Sequence, residues 1–267
     1  MACPNDQLTA SSGRKVAEAP YTSEFYDTIR GASHRSAVAV APIVLELVHP
    51  KSIVDVGCGD GTWLSVFRGL GIGDLVGLDG DYVDRRQLQI SLDQFKATDL
   101  SSRFEITRTF DLAISLEVAE HLPPESAEGF VDSLTRLAPV VLFSAAIPFQ
   151  GGTQHLNEQW PDYWAALFKT HDYLPIDCIR GRIWANEQVE WYYAQNILIF
   201  ASADRLREDP ELRRGYERTY PQQLALVHPK RFLQPLRCGV REALRLLGQA
   251  AMNAARKRIR ALPGERY

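Results

Sequence analysis

Residues 53–63, IVDVGCGDGTW, carry a β-branched run straight into glycines at 57, 59 and 61. Glycine gives up side-chain packing and costs unfolded-chain entropy. A cluster of them at a strand end therefore marks positive φ or a close backbone approach to something bound. Strand and helix patterns alternate around this turn. SIVDVG (52–57) reads as a short buried strand and GTWLSVFRGLG (61–71) as a helix ending on glycine. DLVGLD (74–79) is a second strand, QFKATDL (94–100) a weaker third and FDLAISL (110–116) a fourth. A helix lies within 118–138, and PVVLFSAAI (139–147) is the fifth strand. Such alternation implies a parallel sheet with right-handed crossovers. Beyond Pro148 a polar, glycine-bearing loop leads into an aromatic-rich helix, and WYYAQNILIFAS (191–202) reads as the final strand, centred on NILIF.

The chain is long enough, at 267 residues, for one large α/β domain with appendages. Residues 1–20 read as a polar, disordered leader without the apolar centre of a secretion signal. No apolar run approaches the roughly 20 residues of a spanning helix. Cys3, Cys58, Cys178 and Cys238 show no metal or disulfide spacing, which suits a reduced, cytoplasmic setting. Charge is divided unevenly. Residues 229–267 hold ten Lys or Arg against two Asp or Glu, a balance of +8 within a chain of net −3, hence −11 elsewhere. Residues 204–267 read as a basic helical tail whose apolar stripe runs through Val240, Leu244, Leu247, Ala251 and Ala254. That stripe suits packing on its own domain, a second subunit in a homodimer, or the inner face of an anionic membrane. Nucleic acid ranks last, because the acidic body repels a phosphate backbone.

In an open parallel sheet, ligands bind beyond the carboxyl ends of the strands, where strand order reverses. A dinucleotide turn would need a small third residue at position 62, which is Thr, and no Gly-Lys-Ser/Thr ends the turn as in a phosphate-cradling loop. Instead, VDVGCGDGTW resembles motif I of the class I S-adenosylmethionine-dependent methyltransferases, and the resemblance runs from about Ile53 to Ala201. It implies a doubly wound, Rossmann-like α/β fold: a seven-stranded, mostly parallel sheet with an antiparallel last strand and helices on both faces. The methyltransferase domain would span 21–203, with 21–50 as a helical lid (Tyr21, Phe25 and Tyr26 its contacts) and 148–196 as an acceptor-side insertion. The cofactor implied is S-adenosylmethionine. Its amino-acid end would lie against Gly57, Gly59, Asp55 and Glu117, its ribose against Asp79, and its adenine near Asp99 and Leu100.

Methyl transfer to a hydroxyl needs alignment, exclusion of water and a base. His155 is the candidate base, with Glu120 and His121 assisting. The spacing of Glu117, Glu120 and His121 is that of E-x-x-E-H, which is similar to small-RNA 2′-O-methyltransferases. There a downstream histidine, here His155, completes a magnesium site. Similar segments occur in ubiquinone-type O-methyltransferases and in metal-free class I enzymes. Trp160 and Trp164, four apart, are candidates for one wall of an acceptor cleft, and Gln195 and Asn196 for hydroxyl binders. The 148–164 loop with WYYAQN resembles methyltransferases of bacterial polysaccharide and glycoconjugate assembly, implying a sugar hydroxyl as acceptor. Two other functions stand beside it: a metal-dependent RNA 2′-O-methyltransferase and a non-catalytic S-adenosylmethionine-binding module.

Overall fold

The computed structural model describes residues 23–233, with side chains from residue 31 onward. The expected leader over 1–20, the lid contacts of Tyr21, Phe25 and Tyr26, and the apolar stripe from Val240 to Ala254 lie outside what is described.

The sheet has seven strands: β1 (Ser52–Val56), β2 (Asp74–Asp79), β3 (Phe95–Ala97), β4 (Leu112–Leu116), β5 (Val140–Ser144), β6 (Tyr173–Ile176) and β7 (Leu198–Ser202). Their order is β3-β2-β1-β4-β5-β7-β6, and β7 alone runs antiparallel to its neighbours β5 and β6. β1 pairs in parallel with both β2 and β4, so the winding reverses beside the glycine turn. That reversal leaves a crevice at the carboxyl edge.

Side chains alternate along each strand between two cores. Ile53, Leu75, Leu112, Ile114, Leu142 and Ile199 face one side. There α1 (Ser23–Val48) lays down Ala37, Val40, Val44 and Val48, and α2 (Thr62–Gly69) adds Leu64 and Phe67. Val54, Leu78, Val141, Phe143 and Phe200 face the other side, covered by α3 (Ala127–Leu137) and α4 (Pro161–Lys169). In this second core Phe168 stacks on Phe200 at 4.0 Å, and Phe143 meets Phe168 edge-on. Each such buried side chain contributes about 1.5–3 kcal/mol of transfer free energy. After β6 come α5 (Arg180–Ile183) and α6 (Trp191–Asn196); after β7 come α7 (Ala203–Glu208), α8 (Pro210–Glu217) and α9 (Pro229–Leu233).

Three elements differ from expectation. WYYAQN is the helix α6 rather than the start of a strand, because Tyr193 and Ala194 turn onto the first core while only 198–202 enter the ladder. β6 carries Pro175, which cannot donate to a ladder, and it is accordingly an edge strand that no sequence pattern marked. The β2–β3 crossover holds only short 3-10 turns, Arg85–Gln87 and Leu92–Gln94, where a doubly wound sheet would place a helix. No helix among the described residues is long and apolar enough to cross a membrane.

Candidate functional site

The glycine turn is shaped by what sits behind it. Gly57 has φ +86°, and a Cβ there would stand 2.3 Å from Val118 Cγ2. Gly61 has φ +80° and would meet Ile90 at 2.9 Å. Asp60 closes the turn onto the start of the helix that follows, its Oδ1 accepting from the Thr62 N–H and hydroxyl at 3.1 and 2.6 Å.

Asp79, at the tip of β2, ties the neighbouring turns together. Its Oδ2 accepts from Gly59 N–H at 2.7 Å; its Oδ1 accepts from Gly80 N–H at 2.6 Å and from the Tyr82 hydroxyl at 2.5 Å. Asp55 is buried on β1, where burial, Asp79 and Asp60 push its carboxyl well above the usual range. Asp99 is exposed and closes a turn, accepting from Ser101 N–H and Oγ at 3.0 and 2.6 Å and from Ser102 Oγ at 2.9 Å. These donors hold its carboxyl below the ordinary value.

A cavity of about 680 Å3 runs along this edge from Tyr82, Asp79 and Asp99 past Gly57 to Glu117 and His121. Leu100 forms part of its apolar floor. Four carboxylates line the cavity (Asp79, Asp81, Asp99 and Glu117), with no Lys or Arg among the lining residues. Such a donor set fits a cation and neutral hydroxyls and repels a pyrophosphate.

At the far end the groups are buried. Glu117 sits at φ +56°, a left-handed conformation that costs a non-glycine residue about 1–3 kcal/mol. Its N–H donates to Ser144 O and Oγ at 3.0 and 3.1 Å. Its carboxylate accepts from Asn196 Nδ2 at 3.0 Å and from Gln150 Nε2 at 2.9 Å. Burial raises its pKa, and the Asn196, Ser144 and Gln150 donors offset part of that rise. Glu120 is 1 % exposed, and its Oε2 has no partner among the described residues. Burial, then the charge of Glu117, pushes Glu120 well above the usual carboxylate range.

Backbone contacts dock the loop after β5 onto this end. Leu156 and Asn157 N–H donate to the Glu120 carbonyl at 2.7 and 3.0 Å, which brings His155 edge-on to His121 with ring centroids 4.9 Å apart. Desolvation and His155 hold the His121 pKa below its ordinary value. His155 Nδ1 lies 2.9 Å from Glu158 Oε1. Glu158 is half-buried, which raises its pKa, but hydrogen bonds from His155 and from Gly151 and Phe149 N–H outweigh that and bring it below normal. An ionised carboxylate only accepts, so Nδ1 of neutral His155 carries the proton and Nε2 presents a lone pair. A Cβ at Gly152 would lie 2.1 Å from that Nε2. One ligand atom each from Glu120, His121 and His155 falls within 4.8 Å of the others, a spacing that could hold a metal ion.

The structure thus gathers Glu117, Glu120, His121 and His155 at one end and Gly57, Asp79, Asp99 and Leu100 along the cavity. Asp55, Gly59, Glu120 and His155 are not among the residues that line it. Two expectations are corrected. Trp164 is 2 % exposed and packs on Phe143 in the second core, so Trp160 alone, 38 % exposed, is free to meet a ligand. Gln195 and Asn196 are buried and point into a network around Glu117, not toward an acceptor. Tyr82, Gln150 and His228 went unmarked, since none sits in a local motif; the i, i+3 pairing of His155 with Glu158 was available as a signal.

A family model described as a methyltransferase domain matches residues 32–177. No curated protein matches the sequence. Among solved structures, DesVI of Streptomyces venezuelae aligns with TM-score 0.51 at 15% identity, over 67% of this chain and 98% of that one. The sugar N-methyltransferase KedS8 from Streptoalloteichus sp ATCC 53650 aligns with TM-score 0.55 at 14% identity, over 74% and 99%. At these identities the likeness is one of fold.

Proposed function

The chain belongs to the methyltransferase-domain family, the class I S-adenosylmethionine-dependent enzymes, and from that premise we propose that it methylates a hydroxyl of a small molecule, a sugar in glycan or glycoconjugate assembly. The residues present fit the cofactor: a lining that holds four carboxylates and no Lys or Arg suits an ammonium and a sulfonium, and the bare Cα of Gly57 keeps the turn open beside Val118. When bound, S-adenosylmethionine supplies a methyl group activated on sulfur.

The chain's own residues divide the remaining work. Asp79 accepts from the ribose hydroxyls once Tyr82 releases Oδ1, and Asp99 with Leu100 borders the adenine. The Gly57–Gly59 backbone, Asp55 and Glu117 meet the amino-acid end. His155 takes the acceptor's proton on Nε2 as the new carbon–oxygen bond forms, and Glu158 steadies the resulting imidazolium. His121 and Glu120 hold His155 in place. The 2.9 Å contact between His155 and Glu158 carries this reading, because a hydroxyl must give up its proton as it attacks, whereas an already neutral amine needs only alignment. The test is transfer of a labelled methyl to a panel of sugar nucleotides and their amino-sugar counterparts. Label appearing on oxygen supports the reading; label only on amines overturns it.

One observation favours a second reading. The convergence of Glu120, His121 and His155, with Glu120 Oε2 unpartnered, supports a divalent-metal site of the kind a 2′-hydroxyl of RNA would use. Activity that survives chelation and ignores added RNA removes it. For the basic C-terminal stretch, exposed Lys230, Phe232 and Leu233 support attachment to an anionic membrane face or a second subunit.

A further inference from the structure

Both carboxylate oxygens of Glu117 are claimed by side-chain amides, and the orientation of those amides can be deduced from one backbone group. His228 N–H can only donate, and it meets a Gln195 side-chain atom at 2.9 Å, so that atom is Oε1. Gln195 Nε2 is thereby aimed at Gln150 and Asn196, at 3.1 and 2.9 Å. Those two must present their oxygens to it. Their NH2 groups are left facing Glu117, Gln150 Nε2 to Oε2 at 2.9 Å and Asn196 Nδ2 to Oε1 at 3.0 Å. Asn196 Nδ2 also donates to Gln150 Oε1 at 2.9 Å, and Ile147 N–H to the same oxygen at 3.3 Å. The Gln195, Asn196, His228 and Gln150 side chains are all nine-tenths or more buried.

His228 is itself pinned. Lys230 N–H donates to its Nδ1 at 3.1 Å, which puts the ring proton on Nε2, donated to the Trp184 carbonyl at 3.0 Å. The buried Arg180 braces the same segment, donating to Gln195 O at 3.0 Å and to Leu224 O at 2.7 Å. A flip of either bracketing amide would set its oxygen against an oxygen of the Glu117 carboxylate and break the bond to Gln195.

We propose that Gln150 and Asn196 are positioning residues that aim the Glu117 carboxylate at the cationic, amino-acid end of the cofactor, their orientation relayed from His228 through Gln195. The inference rests on the placement of Glu117 beside that end. It makes the stretch around His228, more than a hundred residues from β4, part of the cofactor site. Hydrogen bonds to a charged group are the strong ones, so loss of one donor should be measurable in affinity.

The test is calorimetric titration of the full chain with S-adenosylhomocysteine and with 5′-methylthioadenosine, which lacks the amino-acid end. Gln150→Leu and Asn196→Leu are expected to weaken S-adenosylhomocysteine about tenfold each and to leave methylthioadenosine within about twofold. Gln195→Leu, which touches neither Glu117 nor the cavity, is expected to reproduce part of the loss. Gln150→Glu, which puts a carboxylate against Glu117, should cost more than Gln150→Leu. Equal losses for both ligands would mean general collapse of the site and overturn the proposal, as would wild-type affinity in all three leucine variants. Glu117→Gln separates the two levels. If it alone leaves S-adenosylhomocysteine affinity unchanged, the placement of Glu117 fails; if it weakens binding while the bracket variants do not, only the bracket fails.

Discussion

The two ends of the cavity are built on opposite principles. At the end we assign to the nucleoside, Asp79 and Asp99 are satisfied by backbone N–H groups and hydroxyls close by in the chain or on the adjoining turn. Asp99 and Tyr82 there stand open to solvent. At the end we assign to methyl transfer, Glu117 and Glu120 are buried and their pKa values are raised, and their neighbours come from the loop after β5, from α6 and from the stretch around His228. One end is assembled by strand tips and needs little else. The other exists only when distant segments close on it, and burial there gives each carboxylate and imidazole a strong influence on the next.

That contrast can be broken most sharply at the transfer end. His155→Ala is expected to lower kcat by about 10²- to 10⁴-fold while S-adenosylhomocysteine affinity stays within about twofold, measured by single-turnover kinetics and calorimetry. Parallel loss of both would merge the two ends into one unit. Next in size is Asp79→Ala, expected to weaken cofactor affinity about 10- to 100-fold through two lost charge-assisted hydrogen bonds, with little change in kcat at saturation.

A smaller effect distinguishes the ends by pH. The Glu158 carboxyl is held below its ordinary value, so its contribution to stability is present above the unfolded pKa of about 4.3 and is lost as pH falls through the lower, folded value. Wild-type protein should therefore lose more thermal stability than Glu158→Gln on going from about pH 6 to about pH 3. Equal slopes would show that Glu158 does not anchor the loop. The smallest effect is at Tyr82, whose hydroxyl occupies the Asp79 oxygen that a ribose would need. Tyr82→Phe should tighten binding by a few-fold, about the worth of one modest hydrogen bond. Weaker binding instead would mean that the ring itself covers the ligand.

The same contrast explains what the sequence could disclose. β1, β2 and the glycine turn sit within thirty residues of one another, and their β-branched runs and aspartates at strand ends follow local rules. The count of seven strands and the single reversed β7 came with the family resemblance rather than with any periodicity, and the order of the strands came only with the structure. β6 was hidden by Pro175, and α6 by an aromatic run equally at home in a strand. Trp164 shares its helical face with core residues, and spacing alone could not tell a cleft wall from a core. The bracket of Gln150, Gln195, Asn196 and His228 was beyond reach for a different reason. A buried amide network has no period, and its members meet only after β5, α6 and the segment after α8 have packed.

Calorimetric titration of the purified chain with S-adenosylhomocysteine, beside NAD as a control, tests most directly that this acidic cavity takes an adenosyl sulfonium. The expected result is a single saturable site for S-adenosylhomocysteine that Asp79→Ala weakens, and no heat with NAD. Saturable binding of NAD with none of S-adenosylhomocysteine would contradict it.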